Sequence, residues 1–237
     1  MRALPPPSAF QFERTRPLRL ALYREARLAA RRRVLEVGAG EGPVAAEVAL
    51  RTCRPVLALD RVAPSSHPVG VRFVLGDAFR LPFRSGSLDA VLLHFVLLWL
   101  PRPVEALAEI RRVLGKSGAL LLLAEPDLTG REDRPDTGLG RTLERAVRSW
   151  GGHPDAGLRA EGWLRDAGFR PHLRATPAEW LTLSDPRETL AEVDALRRGG
   201  LLEEHEARAL ADREEEAFAS GPRRVRLRIT YGWAERS

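Results

Sequence analysis

The chain has 237 residues, which suits one α/β domain with a sizeable insertion or two small domains. Its single cysteine, Cys53, excludes an intrachain disulfide and a multi-cysteine metal site. No apolar run reaches the roughly 18 residues of a membrane span, because the longest, residues 90–100, contains His94. Residues 1–8 lack the apolar core of a secretory signal, so we expect a cytoplasmic protein.

The formal net charge is +6, and the basic residues are spread along the chain. Lys116 is the only lysine, Gln11 is the only glutamine, and the sequence contains no asparagine. Few thermolabile amides together with 18 prolines are typical of a thermophilic source. A basic chain also suits a nucleic-acid partner, which we keep as the second interpretation.

Alternating helices and strands are predicted from residue 17 to residue 124. Apolar residues at three- and four-residue spacing predict helices over 17–33, 43–50 and 103–114. Short apolar runs predict strands over 34–37, 56–59, 71–75, 88–93 and 119–124. Such alternation with short joints indicates a doubly wound, Rossmann-like α/β sheet with right-handed crossovers.

Beyond Glu125 the pattern changes. Residues 127–136 are polar and contain proline, helices are predicted over 139–150, 158–167 and 186–220, and a strand begins at Phe169. The alternating run 224–229 predicts a terminal strand. We therefore expect a seven-stranded sheet, mostly parallel with an antiparallel terminal strand, and a helical cap. The expected units are an N-terminal helix and core (1–126), a cap region (127–222) and a terminal strand (223–237).

Three glycines follow the first predicted strand, at the edge where open α/β sheets bind ligands. They are Gly38, Gly40 and Gly42. Glycine reaches backbone angles closed to other residues and lets a ligand approach the main chain, and the helix that follows offers free amides. Pro43 stands where dinucleotide-binding enzymes need a small residue, which disfavours a nicotinamide cofactor.

Acidic residues end the next two predicted strands. Asp60, about 20 residues after the glycine turn, is suited to accept both hydrogens of a ribose diol. Asp77 is suited to hold an adenine amino group together with the amide of Ala78. Because parallel strands end at the same edge of a sheet, these carboxylates should lie near the glycines, which predicts a nucleoside site there.

Five segments resemble, in order and spacing, the motif series of class I S-adenosylmethionine-dependent methyltransferases, in particular the UbiE/type 11 group. They read VLEVGAGEG (34–42), LALD (57–60), GDAFRLPF (76–83), SLDAV (87–91) and EIRRVLGKSG (109–118). The resemblance covers roughly residues 15–125. The usual Lys-Pro-Gly before the fifth strand is Lys116-Ser117-Gly118 here, a departure that affects only a turn.

The resemblance implies S-adenosylmethionine as cofactor and S-adenosylhomocysteine as product. It places Gly38 and Gly40 at the methionine end, which Glu36 holds through the amino group or a water. It assigns the ribose hydroxyls to Asp60 and the adenine to Asp77 with Ala78 and Phe79. It adds three further residues to the cofactor-binding set: Ala39, Arg61 and His94.

Methyl transfer requires a nucleophile held near the methyl carbon in a dry site and, where the nucleophile carries a proton, a base. We interpret His94, after the fourth strand, and Glu125, at the end of the fifth, as the candidate catalytic residues. Tyr23 and His153 are further candidate bases. Structural roles stay open for all four, and Glu125 in particular is also placed to brace the strand exit.

The acceptor carries no recognisable motif. The Asn/Asp-Pro-Pro-aromatic motif of amino-methylating nucleic-acid and glutamine enzymes is absent after the fourth strand, where residues 93–96 read LHFV. Cys53 lies away from the expected cleft, and we expect it to be structural. We expect core packing of the cap tryptophans and ion pairing of the terminal arginines with residues 214–216. These residues are Trp150, Trp163 and Trp180, and Arg224, Arg226 and Arg228.

Together these observations predict a methyltransferase that moves a methyl group to an oxygen, nitrogen or carbon atom of a small molecule by in-line displacement. We expect a monomer or homodimer with no metal and no membrane partner. Two alternatives stay open: an RNA methyltransferase, and a cofactor-binding protein of the same fold without turnover.

Overall fold

The structure is a computed structural model that describes residues 9–177 and 179–237, with side chains from residue 11 onward except that of residue 178. Residues 1–8, from which we expect no secretory signal, lie outside the described residues. None of the helices described is both long and apolar enough to cross a bilayer.

One sheet organises the molecule. Its main path runs β3 (Val71–Leu75), β2 (Val56–Asp60), β1 (Val34–Val37), β4 (Leu88–His94), β5 (Leu114–Arg134), β8 (Arg223–Arg236) and β6 (Phe169–Ala175). The strands from β3 to β5 pair in parallel, and β8 runs antiparallel to β5 and to β6. The predicted fold class is confirmed. An additional short strand, β7 (Trp180–Leu183), pairs with the beginning of β8.

The described residues form seven α-helices and two short 3-10 helices, Leu28–Ala30 and Leu97–Trp99. The α-helices are α1 (Ala9–Glu25), α2 (Pro43–Thr52), α3 (Pro103–Val113), α4 (Leu139–Ser149), α5 (Ala156–Asp166), α6 (Arg187–Arg198) and α7 (Glu204–Ala219). The first helix begins and ends earlier than predicted. The helix predicted over 186–220 is two helices, because two glycines end α6 and a Glu203–Glu206 capping box begins α7.

Apolar layers cover both faces of the sheet. Alternate residues of β4 face opposite layers, with Val91 and Leu93 in one and Ala90 and Leu92 in the other. The first layer includes α3 and α5, and the second includes α1 and α2. A third, smaller cluster joins α4, α6 and α7 into a cap. Burial on both faces explains why the central strands read as continuous apolar runs.

Strand β5 extends through the polar segment 127–134, where the sequence pattern had ended at residue 124. The extension pairs with β8, and Glu132 and Arg134 lie opposite Arg226 and Arg224. Register shifts interrupt the pairing between residues 122 and 125 and between 127 and 132. The cross-strand partners of this polar segment, remote in sequence, therefore hold it extended.

Candidate functional site

A cavity of about 750 Å³ opens at the carboxyl ends of β1, β2, β3 and β4 and continues under the cap. The strand-end half of this cavity is lined by residues that the sequence predicts to bind the cofactor: Gly38, Gly40, Asp60, Arg61, Asp77, Ala78, Phe79 and His94. Glu36 and Ala39, the other two residues of that set, are buried outside its lining. Topology thus brings the ends of four strands together at one hollow.

The turn after β1 needs glycine for two physical reasons. Gly38 and Gly40 have φ angles of 69° and 54°, in the left-handed region that side chains disfavour. A Cβ atom on Gly38 would lie 2.8 Å from Cγ2 of Val96. The amide of Gly38 donates to the carbonyl of Leu59 at 2.8 Å, which ties the turn to β2.

Glu36 supports the same turn from behind. Its Oε2 accepts a hydrogen bond from the amide of Ala45 at 2.7 Å, in the first turn of α2. The N-cap residue of α2 is Gly42, which has no side chain, so Glu36 provides the oxygen that a capping side chain would supply. Burial raises the pKa of Glu36 to about 8, although Ala45 and Arg19 oppose the rise.

Asp60 lies at the centre of the strand-end half. Its Oδ2 accepts from the amide of Gly40 at 2.9 Å, and its Oδ1 accepts from the amide of Val62 at 3.2 Å. Each carboxylate oxygen has a further lone pair. The carboxylate is therefore held in one orientation and can still accept hydrogen bonds from a ligand such as a ribose diol.

Asp77 and Phe79 form the neighbouring wall. Asp77 Oδ1 accepts from the amide of Phe79 at 3.0 Å, which makes a tight turn after β3. The guanidinium of Arg102 lies over the Phe79 ring, 4.8 Å from its centroid. A carboxylate beside a fixed aromatic ring suits a flat, nitrogen-rich ring such as adenine.

His94 lines the cavity at the end of β4 and is only 4% exposed. Its Nε2 shares a hydrogen bond with Oγ1 of Thr15, a residue of α1, at 2.9 Å. Burial, together with the nearby positive charge of Arg19, lowers the pKa of His94 to about 3. The imidazole is therefore neutral near pH 7. Sequence reasoning missed Thr15, because no local signal shows that α1 crosses the cavity.

Glu125 braces the chain after β4. Its carboxylate accepts from the amides of Val96, Leu97 and Leu98 at 3.2, 3.1 and 2.8 Å. It is fully buried and does not line the cavity, and burial raises its pKa to about 8 against those three hydrogen bonds. This geometry favours the structural interpretation of Glu125 over the catalytic one.

The other two candidate bases also lie outside the cavity lining. Tyr23 of α1 is buried near Arg19 and Glu47, and burial raises the pKa of its hydroxyl above the ordinary value. His153 lies against the Trp163 ring, 5.1 Å between centroids. Neither side chain is placed to meet a substrate.

The cap half of the cavity is mostly apolar. Its wall comes from β5, α4, β7, α6 and β8, through Leu128, Leu143, Val147, Leu183, Leu196 and Leu227. None of these residues belongs to a motif. The only sequence signal for them is the apolar spacing of their elements, which does not separate a cavity wall from ordinary core.

The tryptophans of the cap have different environments. Trp163 is buried in the core, as expected. Trp150 packs against Trp99, with ring centroids 5.8 Å apart. Trp180 lies instead under three arginines, Arg134, Arg226 and Arg224, at 4.4, 5.2 and 6.0 Å from its ring centroid. Core packing is therefore wrong for Trp180.

The expected ion pairs of the terminal arginines are also wrong. Arg226 pairs with Glu132 across the sheet, and Glu214 pairs with Arg223, which is fully buried. The cause is the extension of β5, which brings Glu132 opposite Arg226. Cys53 is exposed at the end of α2 and outside the cavity lining.

Residues 35–122 match the family model described as a methyltransferase domain. This stretch contains β1 to β4, the glycine turn, Asp60 and Asp77. The central part of the chain is therefore similar to a methyltransferase domain. The match also implies the cofactor that this family uses, S-adenosylmethionine.

A curated relative, a demethylmenaquinone methyltransferase of Deinococcus radiodurans, is 35% identical over 105 residues, 40% of this chain and 44% of the relative. The curated relatives are matched over at most 48% of their own length, so their activities are not carried over whole.

Solved structures share the fold over most of this chain. The YcgJ protein of Bacillus subtilis has a TM-score of 0.58 at 18% identity, over 92% of this chain and 99% of that one. The [4+2]-cyclase SpnF has a TM-score of 0.56 at 21% identity, over 94% of this chain and 81% of that one. At such identities the likeness shows the fold alone.

Proposed function

We propose that this protein is an S-adenosylmethionine-dependent methyltransferase that acts on a small molecule. One observation carries the proposal: the cavity that Gly38, Asp60 and Asp77 line continues without interruption into the apolar space under the cap. A volume of about 750 Å³ lies in the range of small-molecule sites, roughly 300–1,000 Å³. Cofactor and acceptor would then share one enclosure.

The residues present fit the cofactor. Asp60 would bind the ribose hydroxyls with its remaining lone pairs, Asp77 and Phe79 would hold the adenine, and the turn at Gly38 and Gly40 would let the methionine part lie against the main chain. When bound, the cofactor supplies a sulfonium methyl group open to in-line displacement. Glu36 contributes indirectly, because it holds the N-terminus of α2 against the glycine turn.

The chain's own part in the transfer is mainly positioning. His94 lines the cavity as a neutral imidazole, and with a pKa of about 3 it is a weak proton acceptor. In this proposal His94 orients the acceptor by a hydrogen bond, and Thr15 holds its ring in place. Alignment in a water-poor enclosure can supply most of the acceleration. The acceptor atom, oxygen, nitrogen or carbon, stays open.

A small-molecule acceptor is favoured over RNA by the way the basic charge is used. Many arginines, among them Arg14, Arg131, Arg223 and Arg226, form ion pairs with carboxylates of this chain. Phosphate binding needs basic side chains free to replace counterions. The cap also covers the half of the cavity that faces away from the strand ends.

Two measurements test the proposal. Calorimetry should show one molecule of S-adenosylhomocysteine bound per chain, and NAD, the control nucleotide, should not bind. Incubation with methyl-labelled S-adenosylmethionine, a metabolite extract and total RNA should then place the label in the low-molecular-mass fraction.

Each alternative has its own result. Label in acid-precipitable RNA would establish the RNA methyltransferase instead. Binding of S-adenosylhomocysteine with no transfer to either fraction would favour a cofactor-binding protein without turnover. Absence of binding would remove the cofactor assignment altogether.

A further inference from the structure

The chemistry of the cap half narrows the class of acceptor. Its wall is formed by the six aliphatic residues named above, which come from five different elements. Phe95, which packs against His94, and Trp99 add aromatic surface to the cavity lining. A ligand there would exchange water for hydrocarbon over most of its surface, which favours apolar molecules by about 25 cal/mol per Å² buried.

Most of the charged side chains on this wall are paired with a side chain of opposite charge. Arg14 of α1 donates to Glu188 of α6, with Nε 2.7 Å from Oε2. Arg131 lies between Glu192 and Asp133, with N to O distances of 2.9 and 3.0 Å. Each arginine is thus neutralised by a carboxylate before any ligand enters.

Among the described residues, two more charged side chains belong to this wall. Arg198 pairs with Asp194 at 2.7 Å, and Glu179 is exposed to solvent. The buried wall therefore offers a charged ligand no unpaired counter-charge.

The pair at Arg131 is anchored in a larger buried network. Asp133 also contacts Arg223 at 3.4 Å, and Arg223 pairs with Glu214. The side chains of Arg131, Asp133, Arg223 and Glu214 are each at most 3% exposed. Breaking one of these pairs to free a charge for a ligand would strand its partner in a medium of low polarity, at high cost.

We propose that the acceptor is an uncharged, compact and predominantly apolar molecule that binds in the cap half. This rests on the proposed methyl transfer, since the acceptor must lie beside the cofactor in the same cavity. A carboxylate, phosphate or ammonium group would lose its hydration without gaining a free partner. An uncharged ring system gains from the aliphatic wall and can still present one hydroxyl or carbon atom towards His94.

Three bicyclic probes of similar shape test the proposal on the protein saturated with S-adenosylhomocysteine. They are 1-naphthol, 1-naphthoate and 1-naphthylmethylammonium, which at pH 7 are neutral, anionic and cationic. Calorimetry should show 1-naphthol bound at least about tenfold more tightly than either ion. The proposal is overturned if an ion binds as tightly as 1-naphthol, or if 1-naphthol does not bind.

A variant tests whether the probes bind in the cap half. Leu227→Glu adds an unpaired carboxylate to the wall. It should weaken the binding of 1-naphthol by about tenfold and raise the affinity of the ammonium probe relative to that of 1-naphthol. Leu158→Glu is the matched control, because Leu158 is 52% exposed and outside the cavity lining. Equal affinities in both variants would overturn the placement.

Binding of S-adenosylhomocysteine distinguishes a failure of the proposed function from a failure of the proposed acceptor class. If the wild-type protein does not bind S-adenosylhomocysteine, the proposed function fails. If it binds the cofactor product and prefers an ionic probe, the acceptor class alone is wrong. The selectivity of the wild-type protein decides the acceptor class even if Leu227→Glu does not fold.

Discussion

The two halves of the cavity are built in different ways. The strand-end half comes mostly from one stretch, residues 38–79, and it presents to the cavity glycines and two short carboxylates, each held by a backbone amide. The cap half is assembled from residues 128–227, and α1 adds a wall from the opposite end of the chain. A contiguous motif can therefore specify a cofactor site, whereas the acceptor site depends on how remote elements pack.

The halves also differ in how they use charge. Asp60 and Asp77 keep lone pairs directed to the cavity, whereas Arg131, Asp133 and Glu192 satisfy one another. The first arrangement is suited to bind polar ligands, and we expect the second to hold the cap together. Three experiments test whether this division is correct.

The largest effect is expected in the cap. Arg223→Ala would leave Glu214 and Asp133 buried without their shared cation. Removing one partner of a buried ion pair lowers the free energy of unfolding by about 3–5 kcal/mol. Urea denaturation, followed by circular dichroism, measures this change.

Arg208→Ala serves as the control, because Arg208 forms an exposed pair with Asp212 on α7. Its effect should stay within about 0.5 kcal/mol. If the two variants are equally stable, the buried network does not stabilise the cap. The different use of charge in the two halves then has no effect on stability.

The second experiment asks whether the strand-end half works independently. Asp60→Ala should weaken the binding of S-adenosylhomocysteine by about 1–3 kcal/mol, because the ligand's hydroxyl groups lose their acceptor. The affinity for 1-naphthol should hardly change. Calorimetry measures both ligands on the same preparation.

Asp166→Ala is the matched control, since Asp166 is exposed at the end of α5 and outside the cavity lining. An unchanged affinity for S-adenosylhomocysteine in Asp60→Ala would contradict the ribose assignment. A loss of both ligands would show that the halves are not separable.

The third effect is a pH dependence at His94, where the two halves meet. Its pKa is about 3 in the folded protein and about 6.5 in the unfolded chain, so the unfolded chain binds more protons between these values. His94 therefore stabilises the fold above pH 6.5, and this contribution is lost as the pH falls towards 3. The slope is about 1.4 kcal/mol per pH unit for one full proton.

The free energy of unfolding should be compared for wild type and His94→Gln from pH 7 to pH 4. The raised pKa values of Glu36 and Glu125 have the opposite sign, with stability lost as the pH rises towards 8, but they are present in both proteins and cancel in the difference. His205→Gln, at an exposed position, is the control. A difference that is independent of pH would mean that His94 is not buried as a neutral group.

Much of the strand-end half could be predicted from the sequence. The glycines, Asp60 and Asp77 directly follow apolar strands, and parallel order brings such ends to one edge. The sequence did not reveal in which direction the side chains of the strand residues point. Glu36 and Glu125 were recognised as strand residues that could serve the site, but the structure turns both carboxylates to backbone amides away from the cavity.

The sequence by itself determined the parts that depend on neighbours in the chain: the alternation of strands and helices in the core and the turn after β1. Only the tertiary structure decided the extension of β5, the contact between Thr15 and His94, and the apolar enclosure under the cap. The physical reason is the distance along the chain over which each interaction acts. Backbone preferences and apolar periodicity act over a few residues, whereas these features arise from contacts between segments that lie far apart in the chain.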